Sequence, residues 1–197
     1  MSWLESTAVL FGIVSVFLSV RQNIWSWPTA IVNVLLYVLV FRDAKLYADM
    51  GLQVVYFALS LYGWYEWLYG GENRTQLKVS RITARTAGAL LVLAVASVAA
   101  LGTFLAHSTD AALPYMDSAT TSTSLVAQWL MTRKVLENWA IWMAVDVVYV
   151  GMFIFKHLYL TAGLYAVFFV LAAMGHREWK QSWNADRAAA AAAPTAA

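Results

Sequence analysis

Trp139, Trp142, Asp146, Tyr149 and Phe153 recur at steps of three and four residues. On a helix that spacing puts them on one face. A second stretch places Asn33 and Tyr37 one turn apart. A third puts Gln53, Tyr56, Ser60, Trp64 and Trp67 on a single face, and Gln128 lies between two apolar pairs. Indole and phenol rings can stack on a flat heteroaromatic ring and favour a cationic one. Amides and a carboxylate can hydrogen-bond sugar hydroxyls or an amide group, and a buried acceptor left unpaired rejects analogues lacking the hydroxyl. The chemistry is therefore recognition of a flat, polar, aromatic solute. The residues expected to bind it are Asn33, Tyr37, Gln53, Tyr56, Trp64, Gln128, Trp142, Asp146 and Tyr149.

Each has a plainer structural use beside that one. Asp146 can pair with a neighbouring helix, and Asn33, Gln53 and Gln128 can join helices through hydrogen bonds. Trp67 stands near a helix end, where a membrane-interface belt explains it. Glu66 and Glu178 also fall at helix ends and are expected beside Arg or Lys. His107, His157 and His176 are scattered, with no metal-ligand spacing. No GxSxG, P-loop or HExxH pattern occurs, and Gly70-Gly71 is a lone turn. Neither an enzyme nor a bound cofactor or metal is expected.

The elements that must position these side chains are membrane helices. Of 197 residues, 61% are hydrophobic and 12% charged, against about a quarter charged in soluble domains. The apolar residues come in long blocks, and about 20 span a bilayer. Seven segments meet this description, at about 4–20, 24–41, 46–69, 85–106, 118–132, 136–155 and 158–179. The fifth is short and rich in Ser and Thr. The first lacks the basic start and cleavage site of a signal peptide, so it is expected to remain as a helix. The formal net charge of +2 gives no reason to expect nucleic acid, and the absence of cysteine excludes a disulfide framework. The many Trp and Tyr residues suit membrane interfaces.

Loop charge sets the orientation. With seven spans, one set of loops holds ten Lys or Arg, among them Arg74, Lys78, Arg81, Arg133 and Lys134. The other holds three: Arg42, Lys45 and Lys156. The acidic loop 107–117, with Asp110 and Asp117, belongs to the second set. The positive-inside rule puts the N-terminus outside and the C-terminus in the cytoplasm. Asn73-Arg74-Thr75 fits a glycosylation acceptor, but this orientation places it in the cytoplasm. Omitting the fifth segment would put Arg133 and Lys134 beside Asp110.

A repeat supports the fifth segment independently. At an offset of 112 residues, Arg21 meets Arg133, Trp27 meets Trp139, Tyr37 meets Tyr149 and Phe41 meets Phe153. Leu46-Tyr47 meets Leu158-Tyr159, Gly51-Leu52 meets Gly163-Leu164, Phe57 meets Phe169, Gly63 meets Gly175, and Glu66-Trp67 meets Glu178-Trp179. Helices one to three thus correspond to five to seven. The fold class expected is an all-α integral membrane protein with seven transmembrane helices, arranged as 3+1+3 parallel repeats. Residues 1–69 form the first bundle, 70–116 a cytoplasmic loop and linker helix, 117–183 the second bundle, and 184–197 a disordered tail. Transporters of this plan hold substrate between the halves near mid-membrane.

Trp27-Pro28 with Asn33 and Tyr37, then Gln53 through Tyr62-Gly63-Trp64-Tyr65-Glu66-Trp67, resembles the bacterial PnuC family. So does Arg133-Lys134 with Glu137, Trp139, Trp142, Asp146 and Tyr149, ending at Gly175 and Trp179. The resemblance covers roughly residues 5 to 183. It implies a SWEET-like fold and a transporter of nicotinamide riboside, an NAD precursor, in the bacterial inner membrane. It implies facilitated diffusion, with a cytoplasmic kinase trapping the product, and a homotrimer. The family's thiamine and riboflavin relatives make another vitamin precursor such as thiamine the alternative substrate. A membrane receptor or scaffold without transport is the alternative outside this class, and proton coupling through Asp146 is a further mechanism to test.

Overall fold

Charged or Pro- and Gly-marked breaks between the apolar blocks leave seven α-helices among the described residues. The computed structural model describes residues 3–43, 47–108, 113–155, 157 and 159–192. The helices are α1 (Trp3–Val20), α2 (Ser26–Asp43), α3 (Tyr47–Tyr69), α4 (Ala84–Ser108), α5 (Pro114–Thr132), α6 (Asn138–Phe155) and α7 (Tyr159–Ala192), with one 3₁₀ turn at Glu72–Arg74. Lys45, Leu46, Asp110, Lys156, Leu158 and residues 193–197, used above, lie outside the described residues.

Helices α1, α4, α6 and α7 are each long and apolar enough to cross a membrane. α2, α3 and α5 carry Asn33, Gln53, Ser60, Gln128 and the Ser/Thr run, which lower their apolar character. Ser118, Thr120 and Thr132 of α5 donate to carbonyls of their own helix. Ser118 Oγ donates to Pro114 O at 2.7 Å and Thr132 Oγ1 to Trp129 O at 2.6 Å, so a polar helix can be buried at little cost. α5 begins at Pro114 rather than near 118, because proline suits the first turn, where its missing N–H would have no partner. α7 also exceeds its expected end at 179. The tail expected from residue 184 is helical as far as Ala192, in keeping with alanine's high helix propensity.

α1 packs on α2 and α2 on α3; α5 packs on α6 and α6 on α7. Between these groups, α1 meets α7 and α3 meets α5, while α4 lies against α5. The two intergroup contacts exchange under the 112-residue offset. α4 leaves Leu91, Val92, Leu93, Val95 and Phe104 exposed, an apolar face that suits lipid.

The offset also governs the turns. Gln22 and Lys134 both have φ of 53°. After α1, Asn23 N–H bonds Leu18 O at 2.9 Å; after α5, Val135 N–H bonds Leu130 O at 3.0 Å. Both are Schellman caps with a non-glycine residue in the left-handed position. Glycine is needed elsewhere: a Cβ at Gly63 would strike the Trp27 ring, and one at Gly175 the Trp139 ring.

These indoles belong to the core. Val20, Trp27, Trp67, Val79, Met131, Leu136, Trp139, Leu171, Ala172 and Trp179 form one buried cluster. Trp67 is only 3% exposed, so the interface-belt expectation for it is corrected: its ring packs edge-on to Trp27 and Trp179. The segment between α3 and α4 seals the same end. Ser80 exchanges backbone bonds with Lys134 O (3.1 Å) and Leu136 N (2.9 Å), Lys134 Nζ donates to Leu77 O at 3.0 Å, and Arg81 pairs with Glu137.

Candidate functional site

Six helices enclose a cavity of about 440 Å³; α4 contributes no residue to it. Asn33 and Tyr37 enter from α2, Gln53 and Tyr56 from α3, Gln128 from α5, and Trp142, Asp146 and Tyr149 from α6. The structure thus brings together eight of the nine residues singled out from sequence. Trp64 is the exception: it packs against the buried tryptophan cluster. It shares the face of Gln53, Tyr56 and Ser60 but lies one turn past Ser60, where the cavity has already closed.

Asn33 Nδ2 donates to Ala8 O of α1 at 2.6 Å. Asp146 is 4% exposed, and among the described residues no Lys or Arg lines the cavity. Tyr37 stacks on Phe41 with centroids 5.5 Å apart, and Tyr149 stacks on Phe153 at 5.9 Å. Tyr149 also meets Tyr165 at 4.5 Å, and Tyr165 meets Phe168 at 5.9 Å. Ser124 of α5 lines the cavity with Tyr56 and Tyr149. The result is an aromatic chamber with amide and carboxylate acceptors and, among the described residues, no fixed positive charge. Among the described residues, no cluster of His, Asp and Glu is placed to hold a metal ion.

Tyr165 and Phe168 of α7 escaped the sequence argument. The signal was present, because the 112-residue offset relates Gln53 to Tyr165 and Tyr56 to Phe168, and all four line the cavity. The same offset relates Gly12 to Ser124, Val16 to Gln128, Ala30 to Trp142 and Val34 to Asp146, also lining residues. Positions related by the offset therefore surround the space, but the chemistry within each pair differs.

Trp27 and Trp139 end the cavity at the side of the α1–α2 and α5–α6 turns. Beyond them Trp67 Nε1 donates to Met131 O, and Trp179 Nε1 to Ser19 O, each at 3.0 Å. Two ion pairs join the helix ends, Arg133 after α5 with Glu66 of α3 at 2.8 Å and Arg21 after α1 with Glu178 of α7 at 3.6 Å. Glu66 and Glu178 thus have the basic partners expected of them. Lys134, outside the spans, lies 4.7 Å from the Trp67 ring centroid. Its burial pushes its pKa down to about 8, partly opposed by Asp186.

A polar, aromatic cavity inside a bundle of apolar helices defines the class: a membrane transporter for a small, vitamin-like solute. The chain belongs to the nicotinamide mononucleotide transporter family, whose sequence model its residues 2–181 match. It is 28% identical over 207 residues to the nicotinamide riboside transporter PnuC of Escherichia coli, covering 92% of this chain and 87% of that one. It is also 28% identical, over 180 residues, to the riboflavin/roseoflavin transporter RibM of Streptomyces davaonensis, covering 90% and 84%. The crystal structure of the vitamin B3 transporter PnuC is similar at a TM-score of 0.72 and 26% identity, over 91% of this chain and 81% of that one.

Proposed function

We propose that this chain carries nicotinamide riboside across the bacterial inner membrane by facilitated diffusion. The observation that carries the reading is the cavity's charge: a buried carboxylate, Asp146, among aromatic rings, with no Lys or Arg among the described residues of the lining. The riboside's pyridinium ring is a permanent cation, which suits Asp146 and the faces of Trp142, Tyr149, Tyr37 and Tyr56. Its hydroxyls and carboxamide suit Asn33, Gln53, Gln128 and Asp146. A mononucleotide adds a phosphate, and burying that beside a carboxylate without a cation is costly. The riboside transporter of Escherichia coli supports the same choice.

The matched contacts at one offset support a 3+1+3, SWEET-like plan. Residues 1–69 and 117–183 are then parallel three-helix halves, and 70–116 supplies the loop and linker helix. Loop charge puts the N-terminus outside and the C-terminus in the cytoplasm. On that orientation the tryptophan cluster closes the cytoplasmic end. Substrate release requires Trp67 and Trp179 to part as the halves rock. The family resemblance supports a homotrimer.

Uptake of labelled riboside into proteoliposomes tests the function. Saturable flux is expected, unchanged by a pH gradient if Asp146 carries no coupled proton. No ligand-dependent flux leaves a receptor or scaffold. Similarity to RibM favours riboflavin as the second reading; riboflavin or thiamine displacing the riboside at equal concentration would overturn the substrate choice.

A further inference from the structure

Glycine inside a helix is disfavoured relative to alanine, so a helical glycine invites the question of what approaches it. Gly12 lies in the interior of α1, and a Cβ there would stand 3.0 Å from Asn33 Nδ2 and 4.0 Å from Phe168 Cζ. The Asn33 amide thus occupies space that a side chain on Gly12 would contest. Ala8 is one turn before Gly12 and fully buried. Its carbonyl accepts the helical N–H four residues on, and its second lone pair accepts Asn33 Nδ2 at 2.6 Å.

A carbonyl oxygen can only accept, so the nitrogen of the Asn33 amide must face Ala8. The amide's orientation follows from its partner. With its nitrogen committed to α1, Asn33 can offer the cavity its Oδ1, an acceptor. At the position matching Gly12 in the other half stands Ser124, which also lines the cavity. The first half needs a bare Cα where the second uses a side chain.

We infer that Gly12 is a positioning residue for substrate selection: by leaving Ala8 O open to Asn33 Nδ2, it fixes Asn33 as a hydrogen-bond acceptor in the cavity and selects a solute that donates there. The inference rests on the proposed substrate cavity, and its test separates the two. Nicotinamide riboside binding is measured by calorimetry on purified wild type, Gly12→Ala, Asn33→Ala and the double variant, each with a melting curve.

Gly12→Ala should weaken binding about fivefold, the scale of one hydrogen bond, with a melting temperature within about 3 °C of wild type. In the Asn33→Ala background the same change should add nothing, because contacting residues acting through one another are non-additive. Unchanged affinity in Gly12→Ala overturns the inference, as does an equal loss with Asn33 already removed. Should Gly12→Ala fail to fold, Asn33→Leu decides. It keeps the branched shape but neither donates to Ala8 O nor accepts from the solute, so it should bind as weakly as Asn33→Ala; native affinity overturns the inference. Wild type that binds riboflavin but not the riboside sinks the substrate reading alone, and the cycle is then read with riboflavin. Wild type that binds neither sinks both.

Discussion

Trp67 of α3 and Trp179 of α7 meet edge to face with ring centroids 5.7 Å apart, and their indoles reach α5 and α1 respectively. Trp67 bonds Met131 O and Trp179 bonds Ser19 O, so the two bonds exchange under the 112-residue offset. Each carbonyl also accepts a turn N–H, from Lys134 and Gln22 respectively. One pair of rings therefore fixes the ends of α1 and α5 at once.

Trp67→Phe and Trp179→Phe each remove an indole donor and part of a buried ring. Each should destabilise the protein by about 2–3 kcal/mol, the sum of a hydrogen bond and lost packing. Denaturant unfolding in detergent measures this. A loss below about 0.5 kcal/mol would show that the crossing bonds contribute nothing.

The two ion pairs differ in burial, so their weights should differ. The Glu66 side chain is 12% exposed and pairs with Arg133 at 2.8 Å; Glu178 is 44% exposed and pairs with Arg21 at 3.6 Å. Glu66→Gln should cost about 1–3 kcal/mol by leaving Arg133 less well paired, and Glu178→Gln under about 0.5 kcal/mol. Equal losses on thermal unfolding would contradict that ranking.

Lys134 gives stability a pH dependence of known sign. Burial lowers its pKa in the folded protein from 10.5 to about 8. Above about pH 8 the folded protein sheds this proton while the unfolded chain still holds it. The Lys134 contribution therefore rises with pH up to about 10.5, by at most about 1.4 kcal/mol per pH unit. Unfolding free energy measured between pH 7 and 10 should show this rise, and Lys134→Met should remove it. Identical slopes in the two proteins would refute it.

Asp146→Asn keeps the shape and removes the charge. Affinity for nicotinamide riboside should fall about tenfold. Dihydronicotinamide riboside, which lacks the ring cation, should bind both proteins alike. Titration with both ligands reads the difference; equal losses would mean that Asp146 acts through hydrogen bonding, without regard to ring charge.

Much of this site was legible in the residue string. Steps of three and four put Trp142, Asp146 and Tyr149 on one face, and the 112-residue offset carried enough information to add Tyr165 and Phe168. The sequence by itself determined the helical segments, the matched residues at one offset and the faces on which polar side chains fall, because hydrophobic periodicity and residue identity are local properties. Only the tertiary structure decided where the cavity ends. Trp64 and Tyr56 share a face, but tryptophans distant in sequence close the space between their levels. Only the fold turned Asn33 Nδ2 toward Ala8 and paired Glu66 of α3 with Arg133 after α5. Helical periodicity fixes direction around an axis, whereas depth and partners depend on how separate helices pack.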